Sequence, residues 1–243
     1  MSVSEPSVQS ATSGNSPADP SPTRASRGVF GLLTDPAFGG IFWGKFLDFS
    51  GIMIQSLVTA ILAFEATGSA LAVAVVTGAL FAPQLVLSPW SGAAADRGHA
   101  AAQIVWGRVL CAVGAGVLAA WAALVEPAGW GSVAVITSTS LLAGVGLAIG
   151  GAAINAIVPQ LVTRDEMPTA MSLNTVPMTV GRVAGPALGA AFLASFGPVY
   201  ALLVAVLGHL VLAATVAAVR IPRVRTAAKA GSIRAAWRHV LAD

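Results

Sequence analysis

Four ionisable side chains lie inside long apolar stretches of this chain of 243 residues: Lys45, Asp48, Arg108 and Arg182. At the centre of a bilayer an ionised group costs at least about 2.5–3.5 kcal/mol. Lys45 and Arg108 lie near the predicted ends of their stretches, where long side chains can extend to the membrane interface. Asp48 and Arg182 are deeper, roughly 15 Å into their stretches at 1.5 Å per residue of helix. A carboxylate at that depth either exchanges a proton or is neutralised by a permanent partner.

The elements that must position these side chains are six apolar runs, each close to the length that crosses a hydrocarbon core of about 30 Å. Hydrophobic residues make up 56% of the chain and charged residues 9%. A soluble core could contain one such run but not six in succession, so the composition indicates an all-α polytopic membrane protein. The runs cover residues 38–64, 70–94, 101–125, 131–158, 169–195 and 198–219.

The basic residues indicate the topology. Arg24 and Arg27 precede the first run, Arg97 and Arg164 lie in alternate loops, and six basic residues follow Val219, whereas the other three loops contain no Lys or Arg. This alternation is typical of the positive-inside rule and predicts that both termini are cytoplasmic. The net charge of +3 is therefore interpreted as a topology signal, and no nucleic-acid partner is expected.

The chain divides into three predicted segments. Residues 1–36 begin with a stretch rich in Ser and Pro and are predicted to be a disordered cytoplasmic tail. Residues 37–219 form the transmembrane bundle, and residues 220–243 a basic cytoplasmic segment that begins a linker. Before the fifth run, Thr163 is followed three residues later by Glu166, a spacing that predicts a capping box.

The loop after the second run reads Gly-Ala-Ala-Ala-Asp-Arg at residues 92–97. It resembles the signature between the second and third helices of the major facilitator superfamily, in which Gly92, Asp96 and Arg97 match. The basic residues that follow in the family are replaced by His99, Ala100 and Ala101. The resemblance implies a gating loop; the residues alone also fit a solvated loop whose charges fix the topology.

The segments "PQLVTRDEMPTAMSL" and "GRVAGPALGA" resemble the enterobactin-exporter and macrolide-efflux branch of that superfamily. The branch commonly has Asn at the position of Met171. The residues that carry this resemblance are Pro159, Leu161, Val162, Ala170, Ser172, Leu173, Arg182, Gly185, Pro186 and Gly189. With the turn after the first run, the matches extend over about residues 38–222.

The resemblance implies six transmembrane helices that form the amino-terminal half of a major-facilitator fold. Its implied activity is proton-coupled export of drug-type or siderophore-type amphipathic molecules by alternating access at a bacterial plasma membrane. In that fold the first and fifth helices are neighbours, so Asp48 and Arg182 are expected to form either a proton-coupling site or a structural ion pair. Cavity-lining candidates are Gln55, Asn155 and Asn174.

Three glycines on the fifth run, Gly181, Gly185 and Gly189, recur every fourth residue and form a face of small residues. Such a face lets helices approach closely, and Pro186 removes a helical hydrogen bond beside it. The resemblance implies a role in transport direction and in sealing the bundle. Tight packing alone is the alternative interpretation.

The sequence contains no pattern typical of a metal site, a phosphate loop or a catalytic triad, so neither enzymatic activity nor a cofactor is expected. The expected partners are membrane lipids, a small-molecule substrate, and either a missing carboxy-terminal six-helix half or a second copy. Because family members ordinarily have twelve helices, we expect a fragment or truncated product, or a half that dimerises. The alternative function is a non-transporting membrane scaffold that uses the basic segment.

Overall fold

The computed structural model describes residues 27–219. Residues 1–26 of the predicted tail and the basic segment 220–243 lie outside the described residues. The described part consists of helices and their connections, without strands. A short helix, α1, spans Val29–Leu33, so the folded part includes residues before the predicted boundary at residue 37.

The longer helices follow in sequence. They are α2 (Phe38–Thr67), α3 (Ala70–Ala94), α4 (Ala100–Leu124), α5 (Gly129–Ala156) and α6 (Met167–Ala218). A π-helical turn, Ala95–His99, joins α3 to α4, and a short 3-10 turn, Val158–Gln160, follows α5. Their apolar composition over 25 or more residues each explains why these segments form helices that bury their backbone hydrogen bonds.

By length and composition, the described residues contain four helical stretches able to cross a membrane, where six separate helices were predicted. The difference arises because two stretches are unusually long. Ala70–Leu124 has 55 residues and contains the second and third predicted runs, and Met167–Ala218 has 52 residues and contains the fifth and sixth. Each stretch is interrupted by a glycine with a non-helical, positive φ: Gly98 (φ 88°) in the first and Gly197 (φ 81°) in the second.

The chain reverses direction at both glycines. The Gln103 side-chain amide donates to the backbone oxygen of Ser91 over 3.1 Å, although residues that far apart are separated by roughly 18 Å on a straight helix. Around Gly197, a β-carbon added at Gly181 would lie 2.7 Å from Phe49, and one added at Gly208 would lie 2.5 Å from the Leu47 oxygen. Two points of α6 on either side of Gly197 therefore contact neighbouring residues of α2.

Glycines also set the distances between the helices. A β-carbon at Gly107 of α4 would lie 2.5 Å from the backbone oxygen of Gly146 in α5, and one at Gly144 would lie 2.5 Å from the backbone oxygen of Leu80 in α3. Small residues allow this backbone approach, which drives helix association where lipid surrounds the bundle. α5 is thereby held against both α3 and α4, and α2 packs against both arms of α6.

We predict that Gly144→Ala destabilises the bundle by about 1–3 kcal/mol, because the added methyl group meets backbone atoms of α3 that cannot rotate away. The measurement is the apparent free energy of unfolding in mixed detergent micelles. Gly78→Ala is the matched control, since Gly78 lies on the same pair of helices with no atom within 4 Å of its added β-carbon. Equal stability of the two variants would contradict the proposed close contact.

Candidate functional site

The Asp48 carboxylate is the centre of a buried polar cluster that joins three helices. Its side chain lies on α2 and is 2% exposed. Its Oδ2 atom lies 3.2 Å from Nε of Arg108 on α4, and its Oδ1 atom lies 2.8 Å from Nδ1 of His209 on the second arm of α6. Arg108 and His209 are themselves buried, at 4% and 0% exposed. Both carboxylate oxygens therefore have a partner away from water.

Glycines adjacent to these partners explain how the cluster assembles. Gly208 precedes His209, and its lack of a side chain lets α6 approach the backbone of Leu47 and Asp48. Gly107 precedes Arg108 and packs on α5. Gly208 therefore brings α6 close enough for His209 to contact the carboxylate, and Gly107 holds α4 against α5.

Gln55 lies one further step from the carboxylate, behind His209. Its Oε1 atom lies 3.3 Å from Nε2 of His209, and its own Nε2 has no hydrogen-bond partner among the described residues. In this arrangement an imidazolium donates to both Asp48 and Gln55. With a neutral ring protonated on Nδ1, a half-turn of the Gln55 amide presents an N–H to the acceptor Nε2. The same residues can therefore hold His209 in either protonation state.

A cavity of about 510 Å³ lies on the other side of Asp48. Asp48 and Arg108 contribute to its wall, together with side chains from α2, α3, α5 and the first arm of α6. Lys45 donates from Nζ to the backbone oxygen of Asn174 over 3.2 Å, and the Asn174 amide donates to Asn155 over 3.2 Å. The cavity thus combines charged, amide and apolar surface within apolar helices, which is typical of a small-molecule binding site.

The structure changes the predicted partner of Asp48. Arg182 lines the same cavity but is exposed, and the carboxylate is paired with Arg108 and His209 instead. The physical reason is helix rotation: Gly181 is the residue that packs on Phe49 of α2, and the next residue lies about 100° around the helix. Arg108 was expected to extend to the interface, yet it is buried.

The predicted cavity-lining residues divide into two groups. Asn155 and Asn174 line the cavity. Gln55 does not appear in its wall; the side chain is 2% exposed and contacts His209. That side of α2 faces the second arm of α6, so Gln55 lies behind His209.

The predicted gating loop coincides with the reversal between α3 and α4. Gly92 lies in the last turn of α3 with no atom within 4 Å of an added β-carbon, and Asp96 and Arg97 are exposed within the π-helical turn. Neither charge forms a salt bridge with the residues that the structure describes. Beside them, Ser91 donates to the backbone oxygen of Ile149 over 2.6 Å, which fixes the end of α3 on α5.

The three glycines predicted as a small-residue face lie buried against α2. Added β-carbons would lie 2.7 Å from Phe49 at Gly181, 2.5 Å from Met53 at Gly185 and 3.2 Å from Leu57 at Gly189. Pro186 lies on the exposed side of the same helix. The first arm of α6 is therefore packed on α2 along more than two turns.

A second charged cluster lies outside the spanning segments, where α1 meets the start of α6. Nε of Arg27 donates to Oε1 of Glu166 over 2.7 Å, and Nη1 of Arg27 contacts Asp35 at 2.5 Å. Glu166 also accepts from the backbone N–H of Thr163 over 3.0 Å, the contact that a capping box requires of its acid, although α6 begins only at Met167. The hydrogen bonds from the Arg27 side chain, and then from the Thr163 backbone, hold the pKa of Glu166 well below its usual range.

No group of three or more His, Cys, Asp or Glu residues in the described part of the chain could hold a metal ion. Sequence reasoning missed two members of the central cluster, Arg108 and His209. A signal was present for His209, because Ala205, Gly208, Leu212 and Val216 mark the buried face on which it lies. For Arg108 the equivalent signal is its spacing with Ile104 and Cys111.

Comparison with known proteins gives one family match. A major-facilitator family model described as "Transmembrane secretion effector" matches residues 28–242, which is most of the chain. No curated protein and no solved structure matches the chain.

We predict that Arg108→Met lowers the apparent free energy of unfolding by about 3–5 kcal/mol, because it leaves a buried carboxylate without its guanidinium. The double variant Asp48→Asn, Arg108→Met loses less than the sum of the single variants, since no uncompensated charge remains. The free energy of unfolding of each variant is measured in mixed detergent micelles as a double-mutant cycle. The control is Arg164→Met, which changes an exposed arginine. Strict additivity would show that the two side chains are not coupled.

We predict that Glu166→Gln lowers the apparent melting temperature at neutral pH. The lowered pKa in the folded state means that the stabilisation by Glu166 is fully present above the unfolded-state value of about 4.3 and declines as the pH falls below it. The difference between wild type and variant should therefore shrink on acidification in a pH series in detergent. Asp165→Asn, which changes an exposed neighbouring carboxylate, is the control; a difference independent of pH would exclude ionisation as its cause.

Proposed function

Since this chain belongs to the transmembrane secretion effector family of the major facilitator superfamily, we propose that it exports small hydrophobic or amphipathic molecules, of drug or siderophore type, by alternating access. The family match indicates a membrane transporter rather than an enzyme. The observation that carries the proposal is the charged cavity beside Asp48, enclosed by helices whose other surfaces are apolar. The motif residues around Arg182 and Gly185 support the enterobactin-exporter and macrolide-efflux branch.

We propose that the described residues cross the membrane six times and form one half of the fold. A straight helix of 55 residues would be about 80 Å long, far more than a hydrocarbon core of about 30 Å. The reversals at Gly98 and Gly197 divide each long stretch into two lengths that suit one crossing. Arg97 and Arg164 then lie on one side with both termini, which the positive-inside rule assigns to the cytoplasm of a bacterial plasma membrane.

Alternating access requires a second bundle on the open side of the cavity. The cavity wall comes from α2, α3, α5 and the first arm of α6, together with Arg108 of α4. We propose that a further six-helix half, or a second copy of this chain, faces these helices and that substrate is held between the two bundles. Asp96 and Arg97, exposed at the reversal, then contact lipid headgroups or the facing bundle in one of the two states.

Proton coupling is proposed to reside in the Asp48 cluster. The charged or titratable groups facing the carboxylate are Lys45 on its own helix, Arg108 and Cys111 on α4, His209 on the second arm of α6, and Arg182 across the cavity. A proton that binds Asp48 removes its charge and frees Arg108 to contact substrate. Its release restores the pair. The two protonation states therefore favour different arrangements of the same helices.

The test is transport by the full chain in proteoliposomes with an imposed pH gradient, using neutral, cationic and anionic fluorescent amphiphiles. We expect movement of at least one compound that collapses with an uncoupler, and loss of that gradient dependence in Asp48→Asn. Glu65→Gln, which changes an exposed carboxylate far from the cavity, should retain it.

Two results would contradict the proposal at different levels. Unchanged gradient dependence in Asp48→Asn would remove Asp48 from coupling while leaving export intact. Absence of movement for every compound by folded protein would exclude export by this chain and favour the scaffold function.

A further inference from the structure

The cavity wall carries more positive than negative charge. Three cationic side chains, Lys45, Arg108 and Arg182, line it, against the single carboxylate of Asp48. A neutral His209 leaves a surplus of two positive charges, and an imidazolium increases it. Because surrounding apolar helices screen charge poorly, this surplus raises the local potential inside the cavity.

Asp48 does not use all of the hydrogen-bonding capacity of Arg108. The guanidinium approaches the carboxylate through Nε at 3.2 Å as an ion pair, and both Nε and Nη1 are buried without a hydrogen-bond partner among the described residues. A buried, unpartnered N–H of a charged group is costly. Arg108 also contributes to the cavity wall, so its positive charge acts on an anion inside the cavity.

The other two cations are not neutralised within the described structure either. Lys45 is held by the backbone and side-chain oxygens of Asn174, both neutral acceptors. Arg182 is exposed on the wall and forms no salt bridge with a described residue. The three cations thus converge on one space from three helices.

Beside the polar side chains of Gln84, Asn155, Asn174 and Thr175, the wall contains a group of aromatic, branched and thioether side chains. They are Phe49, Ile52, Met53, Phe81, Leu147 and Met178. A ligand that fits both parts needs an anionic end for the cations and an apolar body for this surface. A volume of about 510 Å³ accommodates a molecule of drug size.

We propose, resting on the export function above, that the cavity selects organic anions: an apolar body bearing a carboxylate or comparable oxyanion that pairs with the cationic side chains of Arg108, Arg182 and Lys45. Charge-assisted hydrogen bonds to an oxyanion stabilise this arrangement, and the planar guanidinium suits a carboxylate. A cationic amphiphile of the same size meets the same charges as repulsion. The oxyanion can belong to an exported solute or to the headgroup of an anionic lipid.

The test is equilibrium binding by the full chain in phosphatidylcholine nanodiscs. The probes are a dansyl-labelled fatty acid, its methyl ester and an alkylamine of matched length. We expect the carboxylate to bind at least about tenfold more tightly than the ester, a factor equivalent to about 1.4 kcal/mol, and the amine most weakly. Controls without protein in the nanodiscs subtract partition into lipid.

Variants test which side chains produce the preference for the carboxylate over the ester. Arg182→Gln should lower the preference for carboxylate over ester by about threefold, and the double variant Asp48→Asn, Arg108→Gln by about tenfold. The double variant removes both buried partners, so neither charge is left unpaired. Arg164→Gln removes an exposed arginine outside the cavity and should leave the preference unchanged.

Equal binding of carboxylate and ester by wild type, tighter binding of the amine, or a preference that survives both cavity variants would overturn the proposal. A parallel series in nanodiscs that contain phosphatidylglycerol shows where the oxyanion comes from. If phosphatidylglycerol competes with the fatty acid in wild type but not in the double variant, the site binds a lipid headgroup. If phosphatidylglycerol does not compete in wild type, the site binds a soluble anion. Binding is read without a transport step. Export of neutral or cationic probes with no anion selectivity would therefore refute this inference alone, and anion binding without transport would refute the export function alone.

Discussion

The structure depends on the neutralisation of one buried carboxylate. Asp48 is enclosed by apolar helices, and ionising it without partners would cost several kcal/mol. Arg108 and His209 supply those partners from α4 and the second arm of α6, so the same contact that removes the cost also fixes the positions of three helices. Gly107 and Gly208 make it geometrically feasible, because each lets the backbone beside a partner residue approach its neighbouring helix. The packing of these helices and the neutralisation of Asp48 therefore depend on the same contacts.

That compensation is incomplete. Buried polar networks generally satisfy every donor, whereas Nε and Nη1 of Arg108 and Nε2 of Gln55 have no hydrogen-bond partner among the described residues. Arg108 contributes to the cavity wall, and Gln55 lies behind His209. The first can respond to a ligand and the second to a proton on the imidazole. Both responses act on the same carboxylate, so ligand and proton can influence one another through it.

The sequence predicted the helical segments better than the rotation of each helix. The apolar runs identified the segments that became helices, because hydrophobic length is a local property. They did not give the partner of Asp48, since that depends on how each helix is rotated: Gly181 faces α2 and carries Arg182 away from Asp48, whereas Arg108 faces inward. The two breaks at Gly98 and Gly197, each with a positive φ, lie between the predicted apolar runs. Asn155 and Asn174 lie in the cavity wall, whereas Gln55 lies behind His209.

The start of α6 is fixed by side-chain and backbone contacts, whereas the reversal between α3 and α4 carries exposed charges. At the start of α6, Glu166 is fixed by Arg27 and by the Thr163 backbone, and the glycine face from Gly181 onward locks the following arm to α2. α1, α2 and α6 therefore behave as one connected unit. The reversal at Ala95–His99 has exposed charges and a glycine in a left-handed conformation, with α3 held at its end through Ser91. Arg108, the partner of Asp48, lies on α4, the helix that begins at this reversal, so the loss of this ion pair would act first on α4.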